Sequence, residues 1–290
     1  MRLNEQVERG VFTTIVEVFP PNFSSLAAKE PLIGIKQKMR DMVARVKKIE
    51  NLADAIMVAD MKDTSRLELA SVYTAAVIKE ELGIEVIPVI PARDMNRKAT
   101  RSAFLTALSL GLESIALVWG DRYDDTDGSK NVYDFRSLSE VIAEMRTLAD
   151  RADINATILS PVDISSLDTP RGLRLARKRV ESGADGLLAQ PPTAELSHTL
   201  EEHLRTLEKY GLKERTLPNV FPFRDRDDVQ SCRTRFGWKL PPELDKIALQ
   251  GESRLLKEAR GVVEALRSSR VPGVYVSTRG KPELAKFILD

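Results

Sequence analysis

One cysteine and two histidines in 290 residues leave this chain almost without thiol or imidazole side chains. A disulfide framework is excluded, and the usual zinc sites cannot be assembled from so few ligands, so no metal is expected. Charge of one sign is also lacking, with 44 Lys and Arg against 43 Asp and Glu. No like-charged block or acidic tail marks a polyanion partner, and nucleic-acid binding is not favoured. The longest apolar runs span six or seven residues, against the roughly 20 a membrane helix requires. Residues Met1 to Gly10 are polar and charged, unlike a secretory h-region or an anchor, and a reducing cytoplasm is the expected compartment. Chemistry must therefore rest on carboxylates, Arg, Lys, amides or a bound cofactor.

What the chain has is a rhythm. With 42% hydrophobic and 30% charged residues it can bury a large core. Short β-rich apolar runs alternate with longer stretches of helical period, the pattern of repeated βα units around a parallel sheet. Strands are expected at Phe12 to Phe19, Ala53 to Ala59, Glu85 to Ile90, Ser114 to Trp119, Asn155 to Leu159, Asp185 to Ala189, Thr216 to Phe221 and Gly273 to Val276. Helices are expected at Ile35 to Ile49, Ser65 to Leu82, Arg97 to Leu110, Leu138 to Ala149, Pro170 to Ser182, Ala194 to Tyr210, Leu249 to Ser268 and Pro282 to Ile288. Eight such units in one chain of this length predict an α/β fold, a (β/α)8 TIM barrel running as a single domain over 1–290, with no room for an appended regulatory domain. A doubly wound open sheet is the runner-up, but the glycine-rich fingerprint it would carry after strand one is absent. Two long polar loops stand out, Gly120 to Asp134 and the stretch after strand seven, and loops of such length in a compact domain tend to be functional.

Reacting groups in such barrels project from the C-terminal strand ends. That rule selects Glu17, Asp60, Asp63, Arg93, Asp94, Asp121, Gln190, Arg224, Thr278, Arg279 and Lys281. Glu17 is the sharpest, because a carboxylate inside an apolar strand is costly unless it is paired or its pKa rises, and a raised pKa suits a general acid. The alternative is a Glu paired with a neighbouring cation to close the barrel. Gly-Asp at 120–121 is a candidate site and also a common turn; Gln190, before Pro191 and Pro192, can hydrogen-bond a flat heterocycle or brace a rigid loop. Lys36, Lys38, Arg40, Lys47 and Lys48 form a solvated helix face. His198 and His203, five apart on a helix, point in different directions; Cys232 is an inert thiol, and Trp119 and Trp238 are core residues or stacking surfaces.

Five segments occur in order: VEVFPP (Val16 to Pro21), IPVIPARDMNR (Ile87 to Arg97), LGLESIALVWGD (Leu110 to Asp121), KRVESGADGLLAQ (Lys178 to Gln190) and TRGKPEL (Thr278 to Leu284). Together they make the chain similar to the catalytic barrel of methylenetetrahydrofolate reductases. The resemblance implies that Glu17 is the general acid, that Asp121 lies near the flavin ring and the pterin, and that Gln190 contacts the pterin. It implies flavin contacts for Asp60, Gly120, Arg122, Lys178 and Arg179, and substrate contacts for Phe221, Arg279 and Lys281. The implied activity is hydride transfer to the one-carbon unit of a methylene-tetrahydrofolate or related tetrahydropterin, giving the 5-methyl product. FAD is the implied cofactor. Two family features are replaced, however: strand three ends in Pro88, Val89, Ile90, Pro91 rather than Pro-His-Leu-Thr, and SPVDISSLDTP from Ser160 stands where a Tyr-Pro-Glu-x-His segment is usual. A deazaflavin or a nicotinamide is therefore the alternative donor. A non-catalytic pterin-binding subunit and a Schiff-base, aldolase-like barrel are the competing functions, and a homo-oligomer remains open.

Overall fold

The computed structural model of the chain describes residues 3–8, 11–23, 32–60, 67–122, 131–190 and 197–290. Nine parallel strands form one nearly closed sheet: β1 (Thr13–Val18), β2 (Ala55–Val58), β3 (Glu85–Pro91), β4 (Ser114–Val118), β5 (Thr157–Asp163), β6 (Gly186–Gln190), β7 (Thr216–Leu217), β8 (Asn219–Val220) and β9 (Gly273–Ser277). The fragments β7 and β8 are one expected strand interrupted at Pro218, which has no N–H to give the ladder. Its carbonyl still serves, accepting from Tyr275 N at 3.0 Å. β7 pairs with β6 and β8 with β9, so the break lies where the ring closes. The chain is an α/β protein with (β/α)8 barrel architecture.

Side-chain alternation divides the core in two. Ile15, Met57, Val89, Ala116, Leu159, Leu188, Leu217 and Tyr275 fill the lumen, while Val16, Ile56, Val86, Ile115 and Ile158 face the helices. Closure depends on Gly273, paired with Thr13 across the β9–β1 seam. A Cβ there would stand 2.1 Å from the Thr13 carbonyl oxygen. The bottom of the lumen is stopped by an unexpected helix, Leu3–Glu8, whose Leu3 is 1% exposed and belongs to the lumen cluster.

Helices Leu32–Lys47, Ser71–Leu82, Arg97–Ser109, Leu138–Arg151, Pro170–Glu181, Ser197–Lys209 and Glu252–Arg267 follow the strands. Where caps are described they are local: Asn96, Ser137 and Thr169 side chains accept from the third residue on, and Gly83 closes its helix at φ 67°. Three expectations shift. The second helix begins at Ser71, because Leu67–Glu68 pairs antiparallel with Asn22–Phe23. β5 runs on through the presumed loop start at Ser160 to Asp163, held in register by GLLAQ of β6. The loop after strand seven contains two helices, Arg226–Phe236 and Glu243–Ala248. The first has few apolar positions, so periodicity does not reveal it, although Asp225 caps it and Gly237 ends it.

Candidate active site at the C-terminal mouth of the barrel

Glu17 lies two residues beyond the lumen residue Ile15, so alternation turns its carboxylate into the mouth of the barrel. Ser277, its register partner on β9, donates from Oγ to Glu17 Oε2 at 3.2 Å, and Thr278 Oγ1 donates to the Glu17 carbonyl at 2.7 Å. Burial pushes the Glu17 pKa up to about 7, only partly offset by the Ser277 hydrogen bond. Among the described residues no salt bridge engages Glu17. Below it in the lumen, Tyr275 accepts from Asn219 Nδ2 at 2.8 Å, donates to the Ala189 carbonyl at 3.2 Å, and is also reached by the Gln190 side chain. Burial, then the Glu17 charge, raise the Tyr275 pKa, so the phenol stays protonated. Gln190 and Asn219 thus meet at one buried hydroxyl, which also lies in the field of the Glu17 charge.

A second cluster spans the ends of β2, β3 and β4. Arg93, 2% exposed, donates to Asp60 Oδ2 at 2.9 Å, to Asp94 Oδ2 at 2.8 Å and to the Asp121 carbonyl at 2.6 Å. Burial raises the Asp60 pKa to about 6 despite the Arg93 charge. Gly120 is glycine for a reason: its φ is 83°, and a Cβ would meet Arg93 Cβ at 2.7 Å. Asp121 and Arg122 are exposed beyond that turn. Tyr133 donates to the Gly120 carbonyl at 3.0 Å and stacks on Trp119, with ring centroids 4.7 Å apart.

A third cluster follows strand seven and β9. Phe221 packs edge-on against Trp238, and the Arg279 guanidinium lies over the Phe221 ring, 5.7 Å from its centroid. Lys281 is exposed, its backbone N–H donating to the Thr278 carbonyl at 3.1 Å. Lys178 is exposed in a surface groove with Pro170, Leu173, Arg174, Arg177 and Glu181. Arg179 turns inward to donate to the Pro161 carbonyl, and burial lowers its pKa. Asp63 and the His198 side chain lie outside the described residues. His203 is partly buried on its helix, which lowers its pKa; Cys232 is buried in a cluster with Val229 and Leu240.

Sequence reasoning singled out Glu17, Gln190, Arg93 and Arg279 but not Ser277, Tyr275, Asn219 or Asp228. Hydroxyls and amides at odd positions of β8 and β9 carried a usable signal, since inward polar side chains near a strand's C-terminal end mark a barrel mouth.

The model of the methylenetetrahydrofolate reductase family matches residues 2–262. The chain belongs to that family. No curated protein sequence matches it. Among solved structures, a protein from Clostridium thermocellum described as binding two copies of 5-methyl-5,6,7,8-tetrahydrofolic acid superposes with a TM-score of 0.66 at 12% identity, over 98% of this chain and 97% of that one. A 2,3-dimethylmalate lyase of the PEP mutase/isocitrate lyase superfamily gives 0.54 at 10% identity, over 94% of this chain and 79% of that one. A phosphonopyruvate hydrolase, solved with oxalate and Mg++, gives 0.53 at 15% identity, over 99% and 84%. At such identities these likenesses show a shared barrel.

The family implies a flavin, and the described residues do not form a cradle for one. The space beside Gly120 is filled by Arg93, whose donors are engaged by Asp60, Asp94 and Asp121. Arg179 is turned to the Pro161 carbonyl, and Lys178 opens onto the outer groove of its helix. Among the described strands none contains a lysine, so none of them offers an inward amine for the Schiff-base alternative.

Proposed function

We propose that this chain reduces a methylene-tetrahydrofolate, or a related methylene-tetrahydropterin, to the 5-methyl form. The observation carrying this is Glu17, an inward carboxyl at the barrel mouth whose pKa is raised by burial to about 7. A carboxyl that still holds its proton near neutral pH is what opening the five-membered ring of the substrate requires. Glu17 gives its proton to the departing nitrogen, the C–N bond breaks, and an iminium cation forms at the one-carbon unit. A hydride from the donor then adds to that carbon, completing the methyl group, and Glu17 regains its proton from water.

Family membership supports this reaction class, and the folate-binding neighbour supports a tetrahydropterin ligand. In our proposal Gln190 meets the pterin edge and the Asp121 carboxylate stabilises the cation electrostatically. Phe221, Arg279 and Lys281 serve the remainder of the substrate. Because the described residues do not cradle a flavin, the donor is assigned as a dissociable hydride carrier, a nicotinamide or a flavin-type molecule taken from solution. The exposed Asp121 and Arg122 rim is where it docks.

The test is direct. Purified protein is supplied with methylene-tetrahydrofolate and, in turn, NADH, NADPH and photoreduced flavin, and the 5-methyl product is measured by mass spectrometry. Product with at least one donor is expected; no product with any of them sinks the reductase assignment. Tight binding of 5-methyl-tetrahydrofolate without turnover would instead establish a binding protein. The absorbance spectrum of the purified protein adds an independent check, and a colourless preparation is expected.

A further inference from the structure

We propose that Ser277 is a positioning residue for the acid: its hydroxyl holds the Glu17 carboxyl in one orientation in both of its protonation states, while Thr278 beside it pins the Glu17 backbone. The two hydroxyls belong to consecutive residues at the end of β9, so alternation sends them to different parts of one partner. Across the β1–β9 seam Glu17 is the register partner of Ser277. Ser277, two residues beyond the lumen residue Tyr275, turns inward as Glu17 does, and donates to Oε2 at 3.2 Å. Thr278, one residue past the last paired position, donates from Oγ1 to the Glu17 carbonyl at 2.7 Å. Ser277 is 7% exposed and Thr278 1%, so neither bond is left to competition from bulk water.

The other groups around Glu17 do not share this task. On its second flank the register partner is Met57 of β2, which has neither charge nor titratable proton. Below it on β9 lies Tyr275, whose pKa the Glu17 charge helps to raise, so the phenol stays protonated. The next charged residues past those strand ends are engaged elsewhere, Asp60 by Arg93 and Arg279 by Asp228, which also binds Arg224. Among the described residues the carboxyl thus has one hydrogen-bond partner, and that partner is a hydroxyl. A hydroxyl donates to a carboxylate and, turned about its Cβ–Oγ bond, accepts from a carboxyl. Ser277 can therefore follow Glu17 through loss and recovery of its proton while the glutamate side chain stays in place. Without such a partner the carboxyl would exchange rotamers, and an acid away from its target transfers its proton poorly. The same bond favours the charged form against burial, which keeps the acid close to neutrality.

The inference rests on the proposed function for the task of the acid, but its first readout is independent of that function. Glutamate carboxyls labelled with ¹³C are titrated by NMR in wild type, Ser277→Ala and Ser277→Thr, and the Glu17 signal is identified by its loss in Glu17→Gln. In Ser277→Ala the Glu17 midpoint is expected to move upward by about one pH unit, because the charged form loses its hydrogen bond. Ser277→Thr, which keeps the hydroxyl, is expected to return it toward wild type. The alkaline limb of kcat/KM for the 5-methyl product reports the free enzyme and is expected to move with the midpoint, while kcat on the acid plateau falls about threefold or more. A midpoint that stays in place in Ser277→Ala, or moves equally in Ser277→Ala and Ser277→Thr, overturns the positioning role. So does an unchanged plateau kcat beside a shifted midpoint, because a change of pKa alone needs no fixed orientation. A midpoint shifted by alanine and restored by threonine, with no methyl product from wild type, fails the proposed function and leaves the hold of Ser277 on Glu17 standing.

Discussion

Glu17 is a single carboxyl whose surroundings set its chemistry. Its ordinary pKa of 4.5 rises to about 7 in the folded chain. Activity that uses it as an acid should therefore fall as pH climbs through about 7, and Glu17→Gln should lower kcat at least tenfold, since a positioned acid is worth about 10²–10⁴-fold. Near-normal turnover in that variant would remove the assigned role. Stability runs in the same direction. Because the folded state holds the proton that the unfolded state releases, Glu17 favours folding below pH 4.5, and that contribution is lost as pH rises through about 7. Glu17→Gln should flatten the decline across this window in urea titrations run at several pH values.

Arg93 makes a related point about partners. Its guanidinium is 2% exposed and satisfies Asp60, Asp94 and the Asp121 carbonyl. Removing one partner of a buried pair strands the other, at a cost of about 3–5 kcal/mol. Arg93→Met should thus destabilise strongly at pH 8 and less at pH 5, where Asp60, already raised to about 6, escapes by protonation. A pH-independent loss would mean that packing, not charge, is what Arg93 supplies.

Elements show where local signals suffice and where they do not. Strand positions were readable because period-two apolar runs bounded by Pro and Gly have few other uses, and the seams confirm the register. Gly273 has no such local signature as a seam residue, since only its pairing with Thr13 forbids a side chain. Gly273→Ala should cost more than about 3 kcal/mol or prevent folding, because backbone lies in the way and cannot yield as a flexible side chain would. Thermal unfolding measures this, and a loss below about 1 kcal/mol would show that the seam can open. The helix Arg226–Phe236 escaped periodicity for a different reason. Its sequence, RDDVQSCRTRF, has few apolar residues to mark a period, and Asp228 in its first turn bonds two arginines from outside the helix.

For the molecule as a whole, the lumen, floored by the Leu3–Glu8 helix, and the apolar clusters packed outside it are expected to unfold as a single cooperative unit. Leu3→Ala should lower stability by about 2–5 kcal/mol, as for other buried leucines. Unfolding followed by tryptophan fluorescence and by circular dichroism should give coincident transitions; separated midpoints would divide the barrel into independent parts. Trp119 at the end of β4 and Trp238 beyond strand seven report from opposite sides of the mouth, which makes the comparison informative.

The alternation of apolar periods already determined the barrel, its strand number and the one inward acid in β1, because hydrophobic pattern and strand length are properties of neighbouring residues. Scarcity of histidine and cysteine likewise left carboxylates, Arg, Lys, amides or a bound cofactor as the groups available for chemistry. Which of those side chains meet was decided only by the tertiary structure. Ser277 reaches Glu17 across 260 residues, Asn219 and Tyr275 meet across 56, and Arg279 finds Asp228 across 51. These contacts exist because a closed sheet brings its first and last strands side by side and rings all the C-terminal strand ends around one opening. No local pattern encodes such proximity.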